Sequence, residues 1–384
     1  MSIIIQKYGG TSVGSVERMR HVADLIIAEQ KLGHQVVVVA SAMAGITNQL
    51  VKSVTQFDNA SNPAAYDFVI STGENVSCGM LALALAEKNV NAIPLAGWQV
   101  PIQTNEIHSR ARITSIDTVR LRQLLNQGIV PIVTGFQGLS PTHLITTLGR
   151  GGSDTSAIAL AAALNASRCD IYTDIDGIYT ADPRLVRNAR FISHISYSIA
   201  FQMATLGTKI IHPRAVQCSM ESKIPLRILS SFGSDKFTTL LENTSHSEIV
   251  GIAHMNSVVL IEVPLPHSSV STQIIEKLYD LDIPTDMIQI STNRLLMCVE
   301  YADVSQILEI LSDSKNVVIS PQYAKISVVG TLSNLQAEHA INSLHSSNIP
   351  IFHTFTDNLR TSVLVSNSHM DSAVNTLHAV FLNS

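Results

Sequence analysis

Residues 144–166, LITTLGRGGSDTSAIALAAALNA, constrain the chain more than any other stretch. A β-branched entry at Ile145, Thr146 and Thr147 runs into Gly149-Arg150-Gly151-Gly152-Ser153-Asp154, and an Ala/Leu run follows at once. The order is strand, glycine turn, helix. Glycine lets a backbone come close to a charged ligand. A helix start offers unpaired N–H groups and the positive end of a dipole to an anion. Arg150 adds a planar fork suited to a carboxylate or phosphate. Asp154 is the odd residue, a carboxylate where anions are welcome. A first-turn acid favoured by the helix dipole is the plain alternative for it.

The amino-terminal residues repeat the theme. Ser2 to Tyr8 reads as a strand leading into Lys7-Tyr8-Gly9-Gly10-Thr11-Ser12-Val13-Gly14, and a helix is predicted from about Val16 to Leu32. Gly9 and Gly14 have the spacing of a Walker loop, but Ser15 stands where its lysine belongs and Lys7 stands upstream instead. A glycine loop with a nearby lysine still suits phosphate; a plain strand-to-helix turn is the alternative. Val36 to Ala40 reads as a strand buried on both faces, ending in the small-residue loop from Ser41 to Thr47. Ser71-Thr72-Gly73-Glu74 precedes a helix predicted over Val76 to Glu87, where Glu74 either caps the helix or holds an ammonium group. Val90 to Leu95 and Ile129 to Thr134 are further buried strands, the latter ending in Gly135-Phe136-Gln137-Gly138. Cys169 to Asp174 is another, continuing through Asp176-Gly177 to Asp182-Pro183-Arg184. Its Asp-x-Asp-Gly piece lacks the rest of a calcium loop. Gly207-Thr208-Lys209 supplies a second lysine, for which a solvated surface position is the bland alternative. Alternating strands and helices to about residue 232 predict a mostly parallel sheet with helices on both faces, whose ligands bind at the carboxyl ends of the strands.

At 384 residues, two or three domains are expected. A formal charge of −5 leaves no nucleic-acid footprint, and the unbroken apolar runs are shorter than a membrane span. The chain enters a strand without a signal-peptide pattern. Four scattered cysteines without a CxxC pair fit reduced thiols in a cytoplasmic protein, and the histidines show no metal-ligand spacing.

Taken together and in this order, the motifs resemble aspartate kinase, an amino-acid kinase with C-terminal ACT modules. The likeness is carried by Lys7 to Gly14, Ser41-Ala42-Met43, Ser71 to Glu74, Gly135 to Gly138, Thr147 to Asp154, Cys169 to Arg184 and Leu206 to Val216. It implies an α/β fold, a mostly parallel amino-acid-kinase sheet sandwiched by helices, followed by two ferredoxin-like α+β ACT modules. It implies ATP and Mg²⁺ as cofactors and phosphoryl transfer to the β-carboxylate of L-aspartate, opening the route to lysine, threonine, methionine and diaminopimelate. By matched position, Lys7 and Lys209 would neutralise the phosphoryl group, and Gly9 and Gly10 would meet phosphate through N–H. Asp154 would orient the lysines or help place the nucleophile. Tyr8, Ser41, Thr173, Asp174, Tyr179, Asp182, Pro183 and Arg184 would surround the nucleotide. Ser41, Thr47, Gly151, Gly152 and Ser153 would line the substrate site, Arg150 would clamp a substrate carboxylate, and Glu74 would hold its ammonium. Another kinase of this fold with a different carboxylate substrate, or a non-catalytic amino-acid-sensing subunit, stays open. Against the second stand Lys7, Asp154 and Lys209, which a dead subunit has no reason to keep.

The expected domains are 1–232 for catalysis, a polar linker at 233–248, and ACT modules at 249–324 and 325–384. Each module reads as βαββα, and Ile249 to His254 is predicted to complete the second module's sheet. Exposed edges of such modules pair with a copy, so a homodimer is expected. The loops Pro264 to Ser269 and Gly330 to Asn334 lack the family's Pro-Gly turn, while Asp286 and Gln289 to Thr292 still resemble its effector-facing strand. An amino-acid effector site that is weakened is the expectation.

Overall fold

The computed structural model describes residues 2–383 apart from 58–61, 209, 243–248, 267–268, 282 and 313. Its contacts divide it into two units. The first comprises Met1–Ile178, Ile192–Phe201 and Lys209–Thr244; the second comprises Tyr179–Phe191, Gln202–Thr208 and Ser245–Ser384.

In the first unit an eight-stranded sheet runs, among the described residues, in the order His194–Ser196, Phe237–Leu241, Leu226–Ser230, Arg168–Thr173, Ile3–Tyr8, Gln35–Ala40, Val130–Thr134, Ala92–Leu95. The central pairings are parallel, as the continuous apolar strands require. Tyr8 lies opposite both Ala40 and Tyr172, and Ala40 opposite Thr134, so the carboxyl ends of four strands are level. The helix Val16–Lys31 starts at Ser15, whose hydroxyl accepts from Arg18 N–H, and it buries Met19, Val22, Ala23 and Ile26. A second small sheet joins Ile113–Ile116, Ile102–Thr104, Gln137–Leu139 and Ile145–Thr147.

Three expectations change. The polar stretch after Ser230 is not all linker: Phe237–Leu241 turns back antiparallel on Leu226–Ser230 and buries Thr238 and Leu240. The helix expected from Val76 begins at Thr72, which puts Glu74 inside its first turn. Residues 179–191 and 202–208 belong to the second unit, because Ala181 and Val186 are buried in its core with Ile249, Ile326 and Leu377. By length and composition 63–86 could cross a membrane, but half of its apolar window is buried inside the fold, and Asp67 and Glu74 are buried.

In the second unit one strand, Ile249–Pro264, serves two halves of a sheet. Its first part pairs antiparallel with Tyr323–Gly330 and its last part with Arg294–Glu300, with a register shift between Met255 and Val258. The order is Asp286–Ile290, Arg294–Glu300, Ile249–Pro264, Tyr323–Gly330, Arg360–Ser366, His353–Thr356. Asp286 on the first strand nonetheless pairs with Lys325 on the fourth and Arg360 on the fifth. In a flat sheet the first and fifth strands stand about 19 Å apart. The sheet therefore folds back at the shared strand, and its halves face each other across Val258, Met287, Cys298 and Leu364. Burial would raise the Asp286 carboxyl, but Lys325 and Arg360 hold it down to about 2. Helices Ser269–Asp280 and Val304–Ile310 cover one half, and Asn334–Ser346 and Met370–Leu382 the other.

Candidate active site

A cavity of about 280 Å³ opens in the first unit, where the strand ends are level. The strand Ile3–Tyr8 supplies Lys7; the loop after Gln35–Ala40 supplies Ser41 and Ala42, and Thr47 follows. The helix Thr72–Ala86 supplies Glu74, and Phe136 follows the strand Val130–Thr134. Gly149, Gly151, Gly152, Ser153 and Asp154 complete the lining. The glycine turn that opened the sequence reading thus forms one wall.

That turn needs its glycines. Gly149 and Gly151 have φ of 77° and 67°, a region L side chains avoid. A Cβ on Gly151 would lie 2.3 Å from His212 Cβ, and one on Gly149 would lie 2.9 Å from Ser109 O. Gly151 precedes the helix Gly152–Leu164 with no side-chain cap. Gly10 and Gly73 press on a second loop: their absent Cβ atoms would lie 2.7 Å from Ala42 O and from Ala42 Cβ.

Two carboxylates differ sharply in their partners. Asp154 Oδ1 stands 2.6 Å from Lys7 Nζ, with both side chains almost out of solvent. The approach is close but poorly directed for a hydrogen bond, so the pair is held by charge. Glu74 is 3% exposed. Its Oε1 accepts from Ala42 N–H at 3.2 Å, while Oε2 has no hydrogen-bond partner among the described residues. Burial pushes its carboxyl up to about 7, against the pull of the Ala42 N–H. A buried acceptor left unpaired beside a cavity is costly, and a ligand donor would relieve it. No cluster of three metal-ligating side chains occurs among the described residues.

Lys7, Ser41, Thr47, Glu74, Gly151, Gly152, Ser153 and Asp154 are thus brought together. Tyr8 is not: successive strand residues face opposite ways, so with Lys7 at the cavity Tyr8 enters the core, fully buried and stacked on Tyr172 at 4.7 Å. The Gly9 N–H is committed to Tyr172 O at 3.1 Å, which leaves Gly10 as that loop's candidate phosphate contact. Arg150 is exposed and does not line the cavity. Thr173 and Asp174 stand at the end of a neighbouring strand, the Thr173 hydroxyl donating to Asp174 Oδ1. Tyr179, Asp182, Pro183 and Arg184 belong to the second unit, Pro183 and Arg184 exposed; Arg184 pairs with Asp182 at 2.6 Å, and Tyr179 and Phe191 meet edge to face. Lys209 lies outside the described residues.

Sequence reasoning missed Phe136 as a lining residue and Gln137 as its support. The Gln137 side chain accepts from Gly97 N–H and Thr134 Oγ1 and donates to Ser71 O and Asn75 Oδ1, fixing the start of the helix that carries Glu74. The glycines at 135 and 138 were the available signal.

The sequence profile of the amino acid kinase family matches residues 2–230. The aspartokinase of Geobacillus stearothermophilus is 41% identical over 397 residues, spanning 99% of this chain and 97% of that one. The structure of E. coli aspartokinase III in complex with aspartate and ADP, in its R-state, superposes with a TM-score of 0.83 at 25% identity, covering 99% of this chain and all of that one. The same enzyme with lysine and aspartate, in its T-state, gives a TM-score of 0.76 at 26% identity, with the same coverage.

Proposed function

The chain belongs to the amino acid kinase family, and within it to the aspartokinases, and on that premise we propose how its residues carry the γ-phosphoryl group of ATP to the β-carboxylate of L-aspartate. The nucleophile is already an anion at neutral pH, so no strong base is needed. A carboxylate oxygen bonds to the γ-phosphorus as the bond to the β,γ-bridging oxygen breaks; ADP leaves and 4-phospho-L-aspartate remains. The obstacle is bringing two anions together, and positioning with charge neutralisation overcomes it.

Glu74 carries the reading. Glu74, whose Oε2 is buried without a hydrogen-bond partner among the described residues, lines the cavity together with Lys7. It takes the substrate ammonium, which leaves the β-carboxylate to face Lys7 and the nucleotide. Asp154 holds Lys7 in place. The glycine turn approaches the substrate through its backbone, and Arg150, exposed and outside the lining, is assigned to a substrate carboxylate by its matched motif alone. Thr173, Asp174, Tyr179, Asp182, Pro183, Arg184 and Lys209 are assigned to the nucleotide by their matched motifs alone. Magnesium keeps several waters and takes phosphate oxygens with one or two carboxylates, a demand that Asp154 and the exposed Asp174 fit. When bound, it adds positive charge beside the phosphates. Trapping the product with hydroxylamine tests the function: aspartyl β-hydroxamate must form with ATP and L-aspartate, and its absence would overturn the assignment.

Glu74 must be ionised to bind an ammonium, and its carboxyl titrates near 7. For L-aspartate, kcat/KM therefore falls as pH drops through about 7, approaching tenfold per unit below it. Glu74→Gln removes that limb and raises KM at every pH. A wild-type profile flat from pH 8 to 5.5 would contradict this.

We assign the finer properties on the same premise: entry to lysine, threonine, methionine and diaminopimelate synthesis, and a cytoplasmic location. A homodimer forms through the second unit, whose edge strand Asp286–Ile290 exposes Ile290. The paired ACT modules at 249–324 and 325–384 are weak effector sites. In the loop from Gly330, the Gly330 N–H goes to Leu359 O, the Leu332 N–H goes to Asn358 O, and Ser333 caps the next helix in a box with Gln336. In the other loop His267 and Ser268 lie outside the described residues. Calorimetric titration with lysine or threonine should give no binding tighter than about millimolar; micromolar binding of either contradicts a weakened sensor.

A further inference from the structure

Asp67, on the helix Pro63–Ile70, is fully buried and is not among the residues that line the cavity. Its carboxylate is nonetheless the most heavily bonded side chain near the site. Oδ1 accepts from Thr147 Oγ1 at 2.7 Å and from Ser109 Oγ at 3.1 Å. Oδ2 accepts from the N–H groups of Thr147 and Ser109, both at 2.9 Å, and lies 2.9 Å from His108 Nδ1. Two of these partners, Thr147 and Ser109, lead to the glycine turn. Thr147 ends the strand Ile145–Thr147, two residues before Gly149. Ser109 is the residue whose carbonyl packs against Gly149. Arg214 braces the same segment, donating to Leu148 O at 2.7 Å and Ala111 O at 2.8 Å.

Asp67 is also tied to the opposite wall. Its helix ends at Ile70, and the helix carrying Glu74 starts at Thr72. One buried carboxylate therefore links the ammonium-binding wall to the glycine wall. We propose that Asp67 is a positioning residue that sets the span between Glu74 and the turn at 149–153, and with it the length of the dicarboxylic amino acid the cavity accepts. This rests on aspartate being the phosphoryl acceptor. Loosening the span costs aspartate its fit and lessens the penalty on glutamate, which is one methylene longer; a rigid site reads such a difference at about 10- to 200-fold.

The test uses the full chain and three variants. Thr147→Val and Ser109→Ala each remove one hydroxyl from the network and leave the backbone bonds in place. Asp67→Asn sets an amide N–H₂ against at least one backbone N–H whichever way it is turned, because the Ser109 N–H faces both carboxylate oxygens. Initial rates with L-aspartate and L-glutamate, KM for ATP and the melting temperature are measured for each. The expected result for Thr147→Val is a fall of about tenfold in kcat/KM for aspartate, taken mainly in KM. KM for ATP stays within about twofold, and the aspartate-to-glutamate ratio drops at least about fivefold. Ser109→Ala moves the same way by less. Asp67→Asn moves further where it folds; where it does not, the two hydroxyl variants decide. An unchanged aspartate-to-glutamate ratio in folded Thr147→Val and Ser109→Ala overturns the proposal, whether overall activity falls or not. A wild-type chain inactive on aspartate would instead overturn the function beneath it, and that outcome is visible before any variant is made.

Discussion

Replacing Lys7 by alanine lowers kcat by about a hundred- to a thousandfold, the usual cost of deleting one charge-stabilising group from a transition state. Lys7, next to last in the first strand, is 9% exposed and lies 2.6 Å from Asp154. Removing the ammonium deletes positive charge from the path of the phosphoryl group. It also strips Asp154 of its counter-charge, and a bare carboxylate then faces a triphosphate and a dicarboxylate. Both effects act while charge is moving, so kcat falls more than KM for either substrate rises. Steady-state kinetics by hydroxamate formation measures this, with circular dichroism to show that the variant folds. Retention of more than about a tenth of wild-type kcat would remove Lys7 from the chemistry.

Gly151→Ala is the second large effect. An alanine there takes a left-handed backbone, at about 1–2 kcal/mol. Its Cβ would also stand 2.3 Å from His212 Cβ and 2.4 Å from Cγ. The His212 Cβ is fixed by the backbone, and no rotamer carries it away. Either the turn or the helix Pro213–Ser222 must shift, and the turn is a wall of the cavity. Expected are a melting temperature several degrees lower and a fall of at least about tenfold in kcat/KM for aspartate, since a misplacement of about 1 Å costs up to about a hundredfold. Gly128→Ala separates strain from collision: Gly128 has φ of 73° but nothing within 4 Å of its absent Cβ. It should lose a little stability and no activity. Equal kinetic losses in the two variants would contradict the account.

The parts legible in the sequence are those with local signals. Periodicity and glycine marked the strand, turn and helix from Ile145 to Leu164, and apolar runs marked the parallel strands. Local signals also misled. Ser71 to Glu74 reads as a lead-in to the helix, yet the helix opens at Thr72, and residue 73 is a glycine because Ala42 Cβ leaves no room for a side chain. The polar setting of Phe237–Leu241 hides a strand whose burial alternates, with Thr238 and Leu240 inside and Phe237 exposed. Tyr8 could have been placed from parity alone, since Lys7 beside it faces the cavity. Asp67 could not: its partners lie 41, 42 and 80 positions away, and a single aspartate in an apolar helix carries no pattern. The packing of 179–191 with the second unit is equally non-local.

A crystal structure of the chain with ADP, magnesium and L-aspartate tests the central claim most directly. The account predicts the substrate ammonium about 3 Å from Glu74 Oε2, with the β-carboxylate turned toward Lys7 and the nucleotide's terminal phosphate. Aspartate bound elsewhere, or seated in this cavity with its ammonium away from Glu74, would contradict it.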